Sequence, residues 1–255
     1  MTEEKTKIAL VTGASRGLGK NTALSLAKKG VDAIVTYCNS GEEAKSVVSA
    51  IEAIGAKAVA LQLDTSNTKT FDGFVEQVKQ SLQDKWQTEH FDFLVNNAGI
   101  GVHVSFADTT EADFDRLMNI HVKGVFFLTQ KLVPLINDGG GIVNISSGLA
   151  RFTLPGYAAY ASMKGAIEVL TRYMAKELGQ RQIAVNAIAP GAIETDFTGG
   201  AVRDNPDINS FIASQTALGR VGLPDDIGGA IASLLSAENR WINGQRIEVS
   251  GGMFL

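Results

Sequence analysis

The sequence contains a single cysteine, Cys38, only three histidines and no long apolar run. One cysteine cannot form an intrachain disulfide or a cysteine-based zinc site, and we predict no bound metal. No apolar run approaches the roughly 20 residues that span a bilayer. The charged start Met1–Thr6 lacks the apolar core of a signal peptide. These absences predict a cytoplasmic protein with no membrane segment.

An excess of either charge is also missing. Lys and Arg number 23 against 27 Asp and Glu, which gives a formal net charge of −4. This balance argues against nucleic acid or an anionic membrane as a partner. The sequence has no internal repeat and no linker, and α/β chains of 255 residues usually form one domain. We therefore predict a single domain over residues 1–255.

Apolar strand patterns alternate with helical patterns along the chain. The predicted strands are 7–12, 32–37, 58–63, 91–95, 142–145, 183–188 and 245–249. The predicted helices are 20–29, 42–54, 68–85, 111–137 and a helix that carries Tyr160 and runs to about 178. This alternation predicts an α/β fold with a doubly wound parallel sheet and helices on both faces.

A glycine-rich turn, Gly13 to Gly19, joins the first predicted strand to the first helix. Such a turn directs free backbone N–H groups and the positive helix end towards a phosphate. The segment predicts dinucleotide binding, with a plain strand-to-helix turn as the alternative.

Ligands of doubly wound sheets bind outside the carboxyl ends of the strands. Polar or glycine-containing segments follow six predicted strands there: 13–19, 39–40, 64, 96–99, 147 and 190–191. Their common position indicates one site.

Tyr160 and Lys164 lie four residues apart in helical sequence and therefore share a helix face. A phenol with a pKa of about 10 is a poor acid or base at neutral pH unless a cation lowers that pKa. Lys164 is placed to do so, and the Ser147 hydroxyl could hold the oxygen whose charge changes. The alternative is a half-buried tyrosine beside a surface lysine.

Five motifs together resemble the short-chain dehydrogenase/reductase family over nearly the whole chain. They are Thr12-Gly13-x3-Gly17-x-Gly19, Asn96-Asn97-Ala98-Gly99, Ser147, Tyr160-x3-Lys164 and Pro190-Gly191-x3-Thr195. The sequence is most similar to bacterial 3-oxoacyl-carrier-protein reductases and to sugar and alcohol dehydrogenases. The resemblance implies a single-domain, Rossmann-like fold and a homotetramer, with a homodimer as the alternative.

The resemblance also implies roles for the site residues. Tyr160 is the general acid in carbonyl reduction, Lys164 lowers its pKa and holds the nicotinamide ribose, and Ser147 binds the substrate oxygen. Asp64 reaches the adenine amino group, and Ile193 and Thr195 meet the carboxamide. The implied cofactor site comprises Gly13, Ser15, Arg16, Gly17, Leu18, Gly19, Asn39, Ser40, Asp64, Thr65, Asn97, Ala98, Gly99, Tyr160, Lys164, Pro190, Gly191, Ile193 and Thr195.

The residues after the second strand bear on the choice between NADPH and NADH. Enzymes of this fold that use NAD place an acid there for the ribose 2′-hydroxyl. This chain has Thr36-Tyr37-Cys38-Asn39-Ser40 instead, and Arg16 in the glycine turn can reach a 2′-phosphate. We predict NADPH/NADP+, with an NAD-dependent alcohol dehydrogenase as the alternative.

His121 departs from the family pattern, which has an asparagine at this position to hold a water of the proton relay. In one interpretation a neutral imidazole holds the same water and the enzyme is active. In the other the relay is altered and the chain is a non-catalytic dinucleotide-binding regulator. Repulsion from Lys164 should keep His121 neutral in either case.

Residues 196–216 are predicted to cover the substrate, with Gly199-Gly200 as hinge and Phe197, Val202, Ile208 and Phe211 as contacts. Arg151, Phe152, Leu154 and Tyr157 would form the opposite wall. These residues suggest a small or medium carbonyl compound with apolar character. Arg151 or Arg203 could bind an anion or face solvent, and the apolar end Met253-Phe254-Leu255 favours burial in a partner subunit.

Overall fold

Seven short, mostly apolar strands pair into one parallel sheet in the order β3-β2-β1-β4-β5-β6-β7. The strands are β1 (Ile8–Val11), β2 (Asp32–Tyr37), β3 (Ala58–Gln62), β4 (Phe91–Asn96), β5 (Ile136–Ile145), β6 (Ala184–Pro190) and β7 (Arg246–Val249). The computed structural model describes residues 6–255, so Met1–Lys5 and the signal-peptide expectation based on them lie outside the described residues. The sheet confirms the predicted fold class.

Nine α-helices lie among the described residues, on both faces of the sheet or over its edge. They are α1 (Gly17–Ala27), α2 (Gly41–Ala53), α3 (Phe71–Trp86), α4 (Glu111–Met118), α5 (Gly124–Leu132), α6 (Ala158–Glu177), α7 (Ala201–Asp204), α8 (Pro206–Ser214) and α9 (Pro224–Leu234). Apolar residues of α1, α2 and α9 cover one face, and those of α3, α5 and α6 cover the other. Within the described part of the chain, no helix is long and apolar enough to cross a membrane.

The strand register places the turns that follow β1 and β4 side by side. Val11 of β1 pairs with Val35 of β2 and with Val95 of β4. The strand order reverses between β1 and β4, because β2 and β3 lie to one side of β1 and the later strands to the other. Crevices at such reversals are where doubly wound sheets bind ligands.

The predicted helix 111–137 is helical almost throughout, but it is not one continuous α-helix and it ends two residues early, at Leu135. Helix α4 is followed by a π-helical turn, Asn119–Lys123, then by α5 and a short 3₁₀ turn, Val133–Leu135. Proline has no backbone N–H to continue a helix, so Pro134 favours an end here. Strand β5 therefore begins at Ile136, paired with Phe91, six residues earlier than the predicted strand 142–145.

The other predicted elements agree with the structure to within three residues at each end. The segment predicted as a covering loop is more ordered than expected, since it contains the short helices α7 and α8. Ile212 of α8 packs on Val221 and on Met253 of the carboxyl-terminal tail. The tail therefore packs against the predicted covering segment.

A buried polar ladder joins the sheet to the helices next to the site. Asn96 donates from Nδ2 to Asn144 Oδ1 (2.8 Å) and to Thr129 Oγ1 (3.0 Å). Asn144 in turn donates to Thr171 Oγ1 of α6 over 2.9 Å. Because hydrogen bonds between buried groups are costly to break, this ladder fixes α5 and α6 against the ends of β4 and β5.

Candidate active site

Tyr160 and Lys164 lie on one face of α6, as the sequence predicts, and both side chains are buried. Lys164 Nζ donates a hydrogen bond to the carbonyl oxygen of Ile145, the last residue of β5, over 2.7 Å. The same nitrogen lies 5.5 Å from the centroid of the Tyr160 ring. The end of β5 therefore positions the lysine beside the phenol.

Ser147 lies two residues beyond the end of β5 in an extended conformation. Its Oγ accepts a hydrogen bond from the backbone N–H of Leu149 (3.2 Å), at the start of a short 3₁₀ turn. Its hydroxyl lies close enough to the phenol of Tyr160 to lower the pKa of that phenol by hydrogen bonding. With the serine oxygen held by an amide, its proton is free to be donated to the phenol or to a substrate oxygen.

Burial dominates the ionisation of both members of the Tyr160–Lys164 pair. Burial raises the pKa of Tyr160 and the neighbouring Tyr157 adds to the effect, while the hydrogen bond with Ser147 opposes it. Burial lowers the pKa of Lys164 to about 7. The direction for Tyr160 is opposite to the lowering by Lys164 that the sequence predicts, because removal of the phenolate from water outweighs a cation already bonded to a carbonyl.

His121 lies in the π-helical turn, buried against the edge of the Tyr160 ring at a centroid distance of 5.4 Å. Its Nε2 is 2.8 Å from the carbonyl oxygen of Ile100 and 3.3 Å from the backbone nitrogen of the same residue, and the shorter contact assigns the proton to Nε2. Among the described residues Nδ1 is buried and has no hydrogen-bond partner. Burial first, and the charge of Lys164 second, lower the pKa of His121 to about 3, in agreement with the predicted neutral imidazole.

Aromatic rings lie close to the ring of Tyr160. Phe197, from the covering segment, has its ring 5.9 Å from the Tyr160 ring, and Tyr157 lies at 6.5 Å. His103 stacks at a tilt on Tyr157 at 4.8 Å, above Gly156, where a Cβ would collide with the imidazole. The sequence predicts Tyr157 and Phe197 as substrate contacts, and the structure brings both to the phenol.

The glycine turn and the segment after β4 are packed against each other too closely for larger residues. Gly13 has a φ of +63°, and a Cβ there would lie 2.9 Å from the Cα of Ala98. A Cβ on Gly19 would lie 2.4 Å from the carbonyl oxygen of Gly13. Asn97 Nδ2 donates hydrogen bonds to the backbone carbonyl oxygens of Thr12 (2.7 Å) and Gly13 (3.1 Å). Its side chain therefore braces the turn, and the amide N–H groups at the start of α1 remain at the sheet edge.

The remaining predicted cofactor residues lie along the same edge. Thr195 faces the glycine turn, because a Cβ on Gly17 would lie 3.9 Å from its side chain. Pro190 ends β6, and the backbone of Gly191 donates to Val249 (3.1 Å). Ile193 pairs with Gly222, whereas the Leu18 side chain packs into the core.

The end of β2 presents exposed polar groups. Arg16 and Asn39 are exposed, and Ser40 is the N-cap residue that immediately precedes α2. Asp64 accepts hydrogen bonds from the backbone (2.9 Å) and the hydroxyl (2.7 Å) of Ser66. Its carboxylate is close enough to Cys38 to add to the effect of burial in raising the pKa of that thiol. The ends of β2 and β3 thus form one continuous polar surface.

The two arginines considered as binders of an anionic substrate are both engaged within the chain. Arg151 donates to Glu248 (2.8 Å) and to the carbonyl oxygen of Met253 (3.2 Å). Arg203 pairs with Asp196 and Asp204. An anionic substrate is therefore not indicated.

The sequence patterns do not single out two charged residues near the site, Arg246 and Glu168. Arg246 on β7 and Glu168 on α6 form an ion pair at 2.6 Å. Glu168 accepts a hydrogen bond from the Ser146 hydroxyl, and Arg246 donates one to the Ser147 carbonyl oxygen. The spacing offers a partial signal, since Glu168 lies one turn beyond Lys164 on the same helix face and Arg246 shares a strand face with Glu248.

Comparison with known proteins places this geometry among reductases. A family model described as enoyl-(acyl carrier protein) reductase matches residues 13–254. The hydroxynaphthalene reductase-like protein Arp2 of Metarhizium brunneum is 37% identical over 258 residues, covering 96% of this chain and 94% of its own length.

Two solved structures are similar over almost their whole length. The reductase LugOII, which catalyses keto-reduction at C1 during lugdunomycin biosynthesis, is 37% identical with a TM-score of 0.93, covering 99% of this chain and 100% of its own. The angucycline C-6 ketoreductase LanV, solved with bound NADP, is 34% identical with a TM-score of 0.93, covering 98% and 96%.

Replacing His121 by Asn should remove an acid sensitivity of the fold. The folded protein binds a proton at His121 only near pH 3, whereas the unfolded chain does so near pH 6.5. The wild type should therefore lose stability relative to His121→Asn as the pH falls from 6.5, by up to about 1.4 kcal/mol per pH unit. Urea unfolding of both proteins between pH 7 and pH 4 measures this. A difference in free energy of unfolding that is constant with pH would contradict it.

Proposed function

The chain belongs to the short-chain dehydrogenase/reductase family, and from that premise we propose that it reduces the carbonyl group of an aromatic ketone with NADPH as the hydride donor, Tyr160 as the proton donor and Ser147 as the hydrogen-bond donor to the carbonyl oxygen. The chain is an NAD(P)H-dependent oxidoreductase, and neither a non-catalytic regulator nor an NAD-dependent alcohol dehydrogenase is favoured. The observation that carries the residue roles is the placement of the buried Tyr160 phenol beside the Ser147 hydroxyl and beside Lys164, which the Leu149 amide and the Ile145 carbonyl hold in position. These groups lie on the same sheet edge as the glycine turn.

NADPH, when bound, supplies the hydride to the carbonyl carbon. Ser147 can donate its hydroxyl proton in a hydrogen bond to the carbonyl oxygen, since its own oxygen is held by the Leu149 amide. Tyr160 carries its proton at neutral pH, since burial raises a pKa that is ordinarily about 10. Although the phenol is a weak acid, the carbonyl oxygen becomes basic enough during reduction to accept that proton. Lys164, with a pKa lowered to about 7, can exchange a proton at neutral pH beside the phenol.

NADPH fits the residues along the sheet edge. The close packing of Gly13 against Ala98 brings the backbone of the turn where a pyrophosphate could approach it, at the amino end of α1. The exposed Arg16, with Asn39 and Ser40, would bind a 2′-phosphate, and no acid ends β2 to repel it. Two acids, Glu42 and Glu43, follow in the first turn of α2, and Glu42 is paired with Lys45 at 2.7 Å. The bound NADP of LanV supports this assignment.

An aromatic substrate is supported by the rings around Tyr160. Phe197 and Tyr157 flank the phenol and His103 extends the same wall, so a planar ring could stack there. The pairing of Arg151 and Arg203 within the chain leaves recognition to apolar and aromatic groups. The names of the hydroxynaphthalene reductase-like Arp2 and of the angucycline ketoreductase LanV point in the same direction.

The chain would act as one domain, residues 1–255, in a homotetramer. Support comes from large apolar side chains that the isolated chain leaves exposed: Phe106 (85%), Phe126 (44%), Tyr173 (65%), Trp241 (99%) and Leu255 (92%). Phe126 and Tyr173 lie on α5 and α6, where two chains could pack. The cytoplasmic location stays a prediction from the sequence.

Replacement of Tyr160 by Phe should lower kcat for NADPH-dependent ketone reduction by about 100- to 10,000-fold, because the proton donor is lost. NADPH binding, measured by cofactor fluorescence, should be retained. Tyr173→Phe on the exposed side of the same helix is the matched control and should keep wild-type kcat. Equal activity of the wild type and Tyr160→Phe would refute the proposed role of the phenol.

Replacement of Arg16 by Ala should weaken NADPH binding by about 10- to 100-fold, since a charge-assisted hydrogen bond is worth roughly 1.5–3 kcal/mol. NADH affinity should stay within about twofold. Lys28→Ala, an exposed cation at the opposite end of α1, is the control and should change neither. An unchanged ratio of NADPH to NADH affinity would mean that Arg16 does not read the 2′-phosphate.

Sedimentation velocity at micromolar concentration should report a particle of four times the 27.0 kDa chain mass. Tyr173→Glu should shift it towards smaller species, because a carboxylate would be buried in the proposed interface. A wild type that sediments at the mass of one chain would exclude the tetramer.

A further inference from the structure

Arg246 connects three groups that surround the loop after β5. Its guanidinium donates from Nε to Glu168 (2.6 Å), from one terminal nitrogen to Glu248 (3.0 Å), and from the other to the carbonyl oxygen of Ser147 (3.3 Å). Each nitrogen therefore has a different acceptor. A planar guanidinium suits this arrangement, whereas the single ammonium of a lysine could reach fewer of the three.

Glu168 extends the connection to the residue before Ser147. Its carboxylate accepts a hydrogen bond from the hydroxyl of Ser146 over 2.6 Å, on the same oxygen that binds Arg246. The ion pair thus contacts the side chain of Ser146 and the main chain of Ser147. Both charged side chains are largely shielded, at 22% and 15% exposure, so solvent weakens the pair less than it would on the surface.

The pair acts where the sheet no longer holds the chain. The pairing of β5 with β6 ends at Ile145 opposite Ile188, and the backbone N–H of Ser146 makes the last bond, to Ile188, at 2.7 Å. The Ser147 carbonyl lies one residue beyond this last strand bond. It accepts a hydrogen bond from the Arg246 side chain instead of from the backbone of a neighbouring strand. The orientation of the Ser147 backbone sets the direction of its Cα–Cβ bond, so a change at this carbonyl would move Oγ.

Charge is balanced across this cluster. Glu248 accepts from Arg246 and also from Arg151, which in turn donates to the Met253 carbonyl oxygen over 3.2 Å. Two arginines and two glutamates therefore link the carboxyl-terminal strand and tail to the loop that carries Ser147. The cluster has no net charge to attract a substrate ion, so its contacts serve geometry.

From these contacts we propose that Arg246, oriented by Glu168, is a positioning residue for the Ser147 hydroxyl in carbonyl reduction. The proposal rests on the proposed function of Ser147 as the donor to the carbonyl oxygen. Arg246 acts through the Ser147 peptide and does not touch the substrate.

The test combines Arg246→Met with Ser147→Ala in a double-mutant cycle. Arg246→Met should lower kcat for ketone reduction by about 10- to 100-fold, because small displacements of a catalytic group have effects of this size. The KM for NADPH should change less than about twofold. In the Ser147→Ala background the same change should have little further effect on kcat, since the hydroxyl it positions is gone. Arg246→Lys should recover only a small part of the loss.

Arg181→Met is the matched control. Arg181 also bridges three acceptors, Asp138 and the carbonyl oxygens of Val133 and Ile136, but at the opposite end of β5. Both arginine variants should unfold at lower temperature than the wild type, and only Arg246→Met should lose kcat. Equal loss of kcat by Arg246→Met with and without Ser147, or equal loss by Arg181→Met, would overturn the proposal.

The failure of the proposed function gives a different pattern. If Ser147→Ala keeps wild-type kcat, the role of Ser147 is wrong. A crystal structure of Arg246→Met then decides the geometric claim by itself. A displaced Ser147 peptide is expected, and Ser147 in its wild-type position would overturn that claim.

Discussion

The site depends on the parallel pairing of β1 with β4, which brings two sharp turns to the same point of the sheet edge. Val11 and Val95 lie opposite each other, so the chain after each strand must turn within the same few ångströms. Thr12 Oγ1 accepts from the backbone N–H groups of Asn97 (2.9 Å) and Ala98 (3.0 Å), which joins the two turns directly. Gly13 is required there because a Cβ would enter Ala98. The turn proposed to hold the cofactor phosphates is thus a consequence of strand register.

Burial sets the protonation states of the groups around Ser147. It opposes charge on each of them, so the phenol of Tyr160 keeps its proton, Lys164 is brought near its titration point, and His121 is neutral. A protonated phenol next to a hydroxyl is suited to donating protons to a substrate oxygen. Proton donation from so weak an acid requires a strongly basic acceptor, which the substrate oxygen becomes during reduction.

Local patterns were sufficient to predict the doubly wound parallel fold class, the glycine turn and the Tyr160–Lys164 face. These features depend on apolar periodicity and on spacing within one turn of a helix, which are written in contiguous residues. The start of β5 at Ile136 was not predictable in this way, because Gly139 to Gly141 carry no strand pattern and the pairing with Phe91 is a long-range contact. The contacts of Arg246 with Glu168 and Ser147 were missed for the same reason, since they join residues 78 and 99 positions apart.

His121 illustrates how tertiary contacts narrow what a substitution can do. An asparagine side chain offers both a donor and an acceptor, and so does a free neutral imidazole. Here the Nε2 proton of His121 is held by the Ile100 carbonyl, so the buried Nδ1 is left as an acceptor. With a pKa near 3 it does not become a donor by protonation at neutral pH. His121 could therefore support a proton relay only by accepting a hydrogen bond at Nδ1. The imidazole thus retains the hydrogen-bond acceptor that an asparagine side chain would offer, whereas its donor is used by the Ile100 carbonyl.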